Sequence, residues 1–328
     1  MALNNLSEDF SSHDLGDWLE LAVLRGPGAT LSLADLKRQY GIMLEEDDDQ
    51  ADILSEQFLQ RVNDVILDRI DRVGADCYPF VYSQDGNSLQ LKDDLSDSEC
   101  VYLFCLLLSH TKRGEILDGS YVPTIDDATR RYFQACSTVA AAGFVQGSAI
   151  WFGFPRPDGS AFLRKLKEVF ALIEDGLPVE QPRPGTSPAP KDGEIDIIAW
   201  KFRDDVRVPE IYFLAQVASG NNWDQKTIKG QPVDTFHHNW FQQCPATVCS
   251  PGLFMPMLFS LLTGATFEQQ VRIYSEKFGH FFYRFSIPNY YRKGVEMAAN
   301  DGNVVDGVQH AEDIRAWVER EKAALSAV

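Results

Sequence analysis

Asp196 and Gln216 are two polar side chains that stand inside runs otherwise built for burial. Residues 195–200 read Ile-Asp-Ile-Ile-Ala-Trp, and residues 211–218 read Ile-Tyr-Phe-Leu-Ala-Gln-Val-Ala. Both runs are short, rich in β-branched and aromatic residues, and bounded by turn formers, which is the pattern of buried strands. An unpaired carboxylate within such a run is strongly disfavoured, because its charge must leave water without compensation. Asp196 must therefore sit at a strand end, hold a partner or bind a metal ion.

The order of these parts resembles the PD-(D/E)xK nuclease superfamily. Its core motif places an Asp on one strand and, after a hairpin, Glu or Gln, any residue and Lys on the next. Gly193-Glu194-Ile195-Asp196-Ile197-Ile198 matches the first half, and Gln216-Val217-Ala218 matches the second half without its lysine. The resemblance covers about the middle half of the chain. It implies a restriction-endonuclease-like α/β fold, in which a mixed sheet is flanked by helices, here joined to a mainly helical N-terminal domain. It also implies metal-dependent hydrolysis of phosphodiesters, with Mg²⁺ or Mn²⁺ held by the Asp196 carboxylate, the Gln216 amide oxygen and the Val217 carbonyl. A hard cation on oxygen ligands polarises phosphate and lowers the pKa of a water. In the family the lysine helps activate that water. Ala218 occupies its place, and Lys226, on a helix expected to begin near Asn221, is the candidate for a displaced lysine. Glu194 is an accessory acid on this reading. Many relatives also bring a Glu from the first core helix, where this chain has Gln134.

The resemblance further implies a nucleic-acid substrate, with DNA the expected form, and a place in prokaryotic antiviral defence or DNA processing. The missing lysine and Gln134 favour an alternative from another class, a catalytically degenerate subunit that keeps the fold to bind protein or nucleic acid. A third reading makes Asp196 a structural strand-end carboxylate of an unrelated α/β enzyme.

Composition bounds these readings. The 328 residues are 45% hydrophobic and 24% charged, ordinary values for a globular protein, and the chain is long enough for one large or two ordinary domains. A net charge of −18 argues against a protein that simply coats nucleic acid. Much of that charge is local, in Glu45-Glu46-Asp47-Asp48-Asp49 and in residues 93–99, so the acidic N-terminal region is the expected docking surface for a protein partner. The longest apolar run, 252–262, is broken by Pro256 and too short to span a bilayer. The first residues lack a signal-like core, so the expected location is cytoplasmic. Six cysteines without C-x-x-C spacing read as buried thiols.

Along the chain, helical periodicity predicts helices over 15–24, 32–40, 50–73, 99–108, 127–142, 160–172 and 311–325. The stripe of the third comprises Ile53, Leu54, Phe58, Val62, Val65, Ile66 and Ile70. Residues 80–91, with Asp85-Gly86 at their centre, read as a hairpin. Strands are expected at 148–154, 195–200, 211–218 and within 246–258, while 268–285 fits helix and strand equally. These elements divide into a mainly helical region at 1–122, the nuclease-like domain at 123–300 and a helical tail at 301–328. The Pro-rich stretch 180–190 reads as an exposed loop inside that domain. His237-His238 can turn only one ring toward a given site. Ser219-Gly220-Asn221-Asn222 fits a phosphate-binding turn and a plain strand-to-helix connection equally. Arg156 reads as part of a polar turn. The signatures of P-loop NTPases, α/β-hydrolases and HExxH metalloproteases are absent.

Overall fold

A computed structural model describes residues 3–327 except 8, 44–47, 112, 113, 115, 118, 120, 188–190 and 221. The chain divides into two compact units, one formed by Met1–Ile125 with Glu312–Val328 and the other by Asp126–Ala311. Part of the acidic run at 45–49, the end of the Pro-rich loop and Asn221 lie outside the described residues.

The first unit is mainly helical. It contains α1 (Ser12–Arg25), β1 (Thr30–Ser32), α2 (Leu33–Met43), α3 (Asp48–Val73), β2 (Phe80–Tyr82), β3 (Ser88–Leu91) and α4 (Asp97–Ser109). The expected hairpin is present as β2–β3, and β1 joins it on the β3 side. Local chemistry sets the helix starts: Ser11 caps α1, and Ser96 with Glu99 closes a capping box on α4. The α3 stripe differs from its sequence reading at both ends. Ile53 is 60% exposed, whereas Arg69 is buried within the unit.

Arg69 is compensated on every side. It donates to Asp17 Oδ1 and to the His13 carbonyl, each at 2.7 Å, and pairs with Glu20 Oε2 at 2.7 Å. The other Glu20 oxygen accepts the hydroxyls of Tyr78 and Tyr102 at 2.8 and 2.7 Å. His110 Nε2 lies 2.9 Å from Asp17 Oδ2. Gly16 leaves room for the guanidinium, since a Cβ there would stand 2.2 Å from Arg69 Nε. The neighbouring carboxylates hold the Arg69 charge in place against the desolvation that opposes it.

The second unit begins with α5 (Asp127–Val145), β4 (Ser148–Trp151), α6 (Phe162–Ile173), β5 (Leu177–Pro178), β6 (Ile197–Phe202) and β7 (Pro209–Val217). It continues with α7 (Gln231–Trp240), β8 (Phe241–Gln243), β9 (Cys249–Phe254), α8 (Phe267–Phe278), β10 (His280–Phe282) and α9 (Ile287–Ala298). Five strands form a mixed sheet in the order β10-β9-β7-β6-β4. β4, β6 and β7 run as an antiparallel meander, then β9 pairs parallel to β7 and β10 parallel to β9. The segment 268–285 is thus a helix followed by a strand.

Side-chain alternation buries both faces of this sheet. Ile150, Ile198, Trp200, Tyr212 and Leu214 pack with Phe162, Leu166, Phe170, Phe236 and Trp240 from α6 and α7. On the opposite face Ala149 is paired with Ala199, and Ala199 with Phe213. These small residues let the alanine-rich α5 lie close, and Phe144 from α5 meets Phe213 at a centroid distance of 5.3 Å. α5 is held in turn by α9 through two glycines: a Cβ on Gly294 would fall 1.8 Å from the Val139 carbonyl oxygen, and one on Gly143 would fall 2.0 Å from that of Tyr290.

Two expectations change. Residues 301–328 do not form a separate tail, because α10 (Ala311–Ser326) belongs almost wholly to the first unit, where Trp317 meets Phe104 edge-on at 4.9 Å. Lys226 is not on a helix: a 3₁₀ turn over Trp223–Gln225 ends at it in extended conformation, and α7 starts only at Gln231. Gly230, at φ 81°, separates the two, so one continuous helix is not formed. Among the described residues no helix is long and apolar enough to cross a membrane.

Candidate functional site

Asp196 stands one residue before β6, at the sheet end where β7 terminates. Its backbone is fixed from three directions. The Asp196 N–H donates to the Ala215 carbonyl at 2.9 Å, while its own carbonyl accepts the N–H groups of Phe152 and Gly153 at 2.8 Å each. Gln134, reaching in from α5, donates Nε2 to that same carbonyl at 3.0 Å. The carboxylate accepts the Val217 N–H on Oδ2 at 2.8 Å. Oδ1 lies over Gly153, where a Cβ would come within 2.6 Å.

Desolvation pushes the Asp196 carboxyl up to about 7, opposed by the Val217 N–H and by the Lys226 charge and reinforced by the Asp192 carboxylate. A carboxyl so raised has no fully compensating cation beside it. Asp192 is the second acid of the site. Its Oδ1 accepts the Glu194 N–H at 3.0 Å and its Oδ2 the Phe154 N–H at 3.3 Å.

Gln216 is next to last in β7 and partly exposed, and alternation puts it on the same sheet face as Tyr212 and Leu214. Its side-chain amide makes no hydrogen bond among the described residues. Lys226, also partly exposed, forms no hydrogen bond or ion pair through its ammonium among them, yet its charge acts on Asp196. Val217 directs its N–H to the Asp196 side of β7, and in an extended strand the carbonyl of the same residue leaves by that edge.

Asp196, Gln216, Val217 and Lys226 therefore converge on one sheet end. Glu194 does not join them. It is exposed, sits at φ 68° in the turn that leads into Asp196, and its charge is not among those acting on that carboxyl.

Two contributors were missed in the sequence. Asp192 was hidden because Lys-Asp-Gly-Glu reads as an ordinary turn. Gly153 carried a usable signal, since a glycine closing an apolar run marks a close backbone approach. Arg156 is buried: its Nη1 donates to the carbonyls of Phe152 and Lys191 at 2.9 and 2.8 Å, and its Nε to that of Ser160 at 2.9 Å, so it ties the site loops together and does not face outward. His237 turns onto the Tyr212 hydroxyl at 3.1 Å and His238 is exposed. Cys77, Cys100, Cys105 and Cys136 are buried thiols, whereas Cys244 is exposed.

The donor set fits a small, hard cation that keeps most of its waters. Mg²⁺ is commonly held through one or two carboxylates, and here the Asp196 carboxyl, the Gln216 amide oxygen and the Val217 carbonyl are the protein oxygens on hand. Among the described residues no group of three or more His, Cys, Asp or Glu side chains is placed to hold a metal ion by itself. No protein-family model, no curated protein and no solved structure matches the chain.

Proposed function

We propose that the second unit is a metal-dependent nuclease that hydrolyses nucleic-acid phosphodiesters. The observation that carries this reading is the placement, at one end of the sheet, of a desolvated Asp196 carboxyl beside Gln216 and Lys226, whose side chains make no hydrogen bond among the described residues. The order of elements supports it: α5, then the β4-β6-β7 meander, then β9 parallel to β7, is the order expected of a restriction-endonuclease-like core. Gln134 at the Asp196 carbonyl lies where that resemblance expects a first-helix side chain.

Bound Mg²⁺ or Mn²⁺ would supply Lewis-acid polarisation of the phosphate and a water acidic enough to lose its proton. The chain's own groups do the rest. Asp196, fixed by Val217 N–H and Gly153, presents an oxygen in one orientation. Gln216 and the Val217 carbonyl add neutral oxygens, so the site gains affinity without further carboxylate repulsion. Lys226, whose ammonium has no partner among the described residues, stabilises negative charge on the attacking water and on the phosphate. A setting in prokaryotic antiviral defence or DNA processing, with a partner docked on the acidic first unit, accords with this activity by analogy alone.

A second reading is favoured by a specific observation. Asp196 Oδ2 already serves the Val217 N–H, and Ala218 replaces the motif lysine, which is what a fold retained for binding would show. Cleavage assays on single- and double-stranded DNA and RNA with Mg²⁺ or Mn²⁺ separate the two, with Asp196→Ala run beside wild type. Cleavage that disappears in the variant supports the nuclease. Cleavage unchanged by the substitution rules out this site, and no cleavage by folded wild type selects the binding subunit.

A further inference from the structure

The rim of the candidate site carries an aromatic ring that the fold holds out toward solvent. Phe154 is 56% exposed although it follows directly on Phe152 and Gly153, whose N–H groups are bound to the Asp196 carbonyl. A scattered exposed apolar residue needs no explanation by itself. This one is rigidly mounted. Its N–H is taken by Asp192, and buried Arg156 clamps the carbonyls of Phe152 and Lys191 on either side of the loop. Lys191 Nζ lies 5.8 Å from the centroid of the Phe154 ring, which adds a cation beside an exposed aromatic face.

On the β7 side of the site, Lys226 follows an aromatic ring that is packed inward. Trp223, partly exposed, precedes Lys226 by one 3₁₀ turn and accepts the Lys226 N–H on its carbonyl at 3.0 Å. Its ring is wedged by Tyr274 and Phe281, with centroids 5.2 and 5.9 Å away. Lys229, on the same connection, anchors its ammonium to the Glu276 carbonyl at 2.7 Å. An exposed aromatic ring with a cation on one side of the acid centre, and Lys226 on the other, offer stacking and phosphate contacts together. Only unpaired bases expose the faces that such rings can cover.

We propose that the site takes single-stranded nucleic acid, with one base stacked on Phe154 and the adjoining phosphates met by Lys191 and Lys226. This rests on the reading that the second unit acts on nucleic acid, and it adds the form of the substrate. Duplex would have to open or fray before it entered.

The test is fluorescence anisotropy with the full chain in EDTA, which reads strand engagement without cleavage. The probes are a short labelled single strand, the same strand annealed to its complement, and the strand made fully abasic. Wild type is expected to bind the single strand about tenfold or more tighter than the duplex. Phe154→Ala is expected to lose about fivefold or more on the single strand and nothing on the abasic strand, and Phe154→Trp to recover the loss. Phe154 is exposed, so melting of Phe154→Ala at the wild-type temperature certifies its fold. Equal binding of single strand and duplex, absence of single-strand binding, or a Phe154→Ala variant indistinguishable from wild type would each overturn the inference. The outcomes stay separable from the nuclease reading: metal-dependent duplex cleavage without strand preference defeats only the inference, while base-dependent strand binding without cleavage defeats only the catalysis.

Discussion

The two units hold polar clusters of opposite kinds. In the first, Arg69, Asp17, Glu20, Tyr78, Tyr102 and His110 are packed between α1, α3 and α4 and answer one another's charges. In the second, Asp196, Gln216 and Lys226 stand at a sheet end, with one carboxyl raised by desolvation and two side chains that make no hydrogen bond among the described residues. The surrounding charge differs as well. The first unit has 28 acidic against 12 basic side chains, a balance of −16, and the second has 20 against 18, a balance of −2. A satisfied buried network fixes a structure and leaves nothing over for a ligand. A cluster left incomplete at an open sheet end keeps its capacity for one. The overall charge that weighs against nucleic acid therefore belongs almost wholly to the unit without the candidate site.

The sharpest way to break this contrast is to remove one partner from each cluster. Arg69→Ala strands two buried carboxylates, and a loss of about 3–5 kcal/mol of stability is expected in urea denaturation. Stability unchanged within about 1 kcal/mol would mean that the network is not structural. Asp196→Asn keeps an oxygen for the Val217 N–H and is expected to lower metal-dependent cleavage by about a thousandfold or more while the chain stays folded.

That same variant sharpens the comparison through pH. The Asp196 carboxyl titrates near 7 in the folded chain and ordinarily at 3.8, so the folded state binds its proton more strongly. The stability this contributes is complete below about pH 4 and is lost as pH rises through about 7. Asn does not ionise. Asp196→Asn is therefore expected to be more stable than wild type at pH 8, by about 1–3 kcal/mol, with the gain fading toward pH 4 in melting curves. A variant less stable than wild type at pH 8 would make Asp196 a structural carboxylate.

Smaller effects come from the uncommitted side chains. Lys226→Ala is expected to slow cleavage about a hundredfold while leaving Mg²⁺ affinity and melting near wild type, as single-turnover kinetics and metal titration would reveal. Gln216→Ala is expected to weaken the metal dependence of the rate about tenfold and to shift stability by less than about 0.5 kcal/mol. A large loss of stability in either variant would show that these groups hold the fold and are not free for a ligand.

Much of this arrangement could be read from periodicity and turn chemistry. The Asp196 and Gln216 runs declare themselves as strands because their apolar and β-branched residues allow little else, and Asp126 marks the start of α5 through bonds that span three residues. The segment 268–285 defied that reading because a helix and a strand meet there at Gly279, and a single window averages their two periods. Local propensity puts Lys226 on a helix after β7, whereas the chain ends a 3₁₀ turn there and Gly230 separates it from α7.

The sequence by itself determined that the runs at 195–200 and 211–218 are strands with largely buried side chains, that one carboxylate interrupts such a run, and that most of the acid lies outside the sheet-forming stretch. Those are local properties of composition and period. Only the tertiary structure decided that Asp192 and Gly153 flank Asp196, that Gln134 from α5 reaches its carbonyl, and that Glu194 faces away. It also decided that Arg69 is caged while the Lys226 ammonium has no partner among the described residues. Each of these depends on contacts between residues distant along the chain, and a side chain's pairing and desolvation exist only once packing brings its neighbours together.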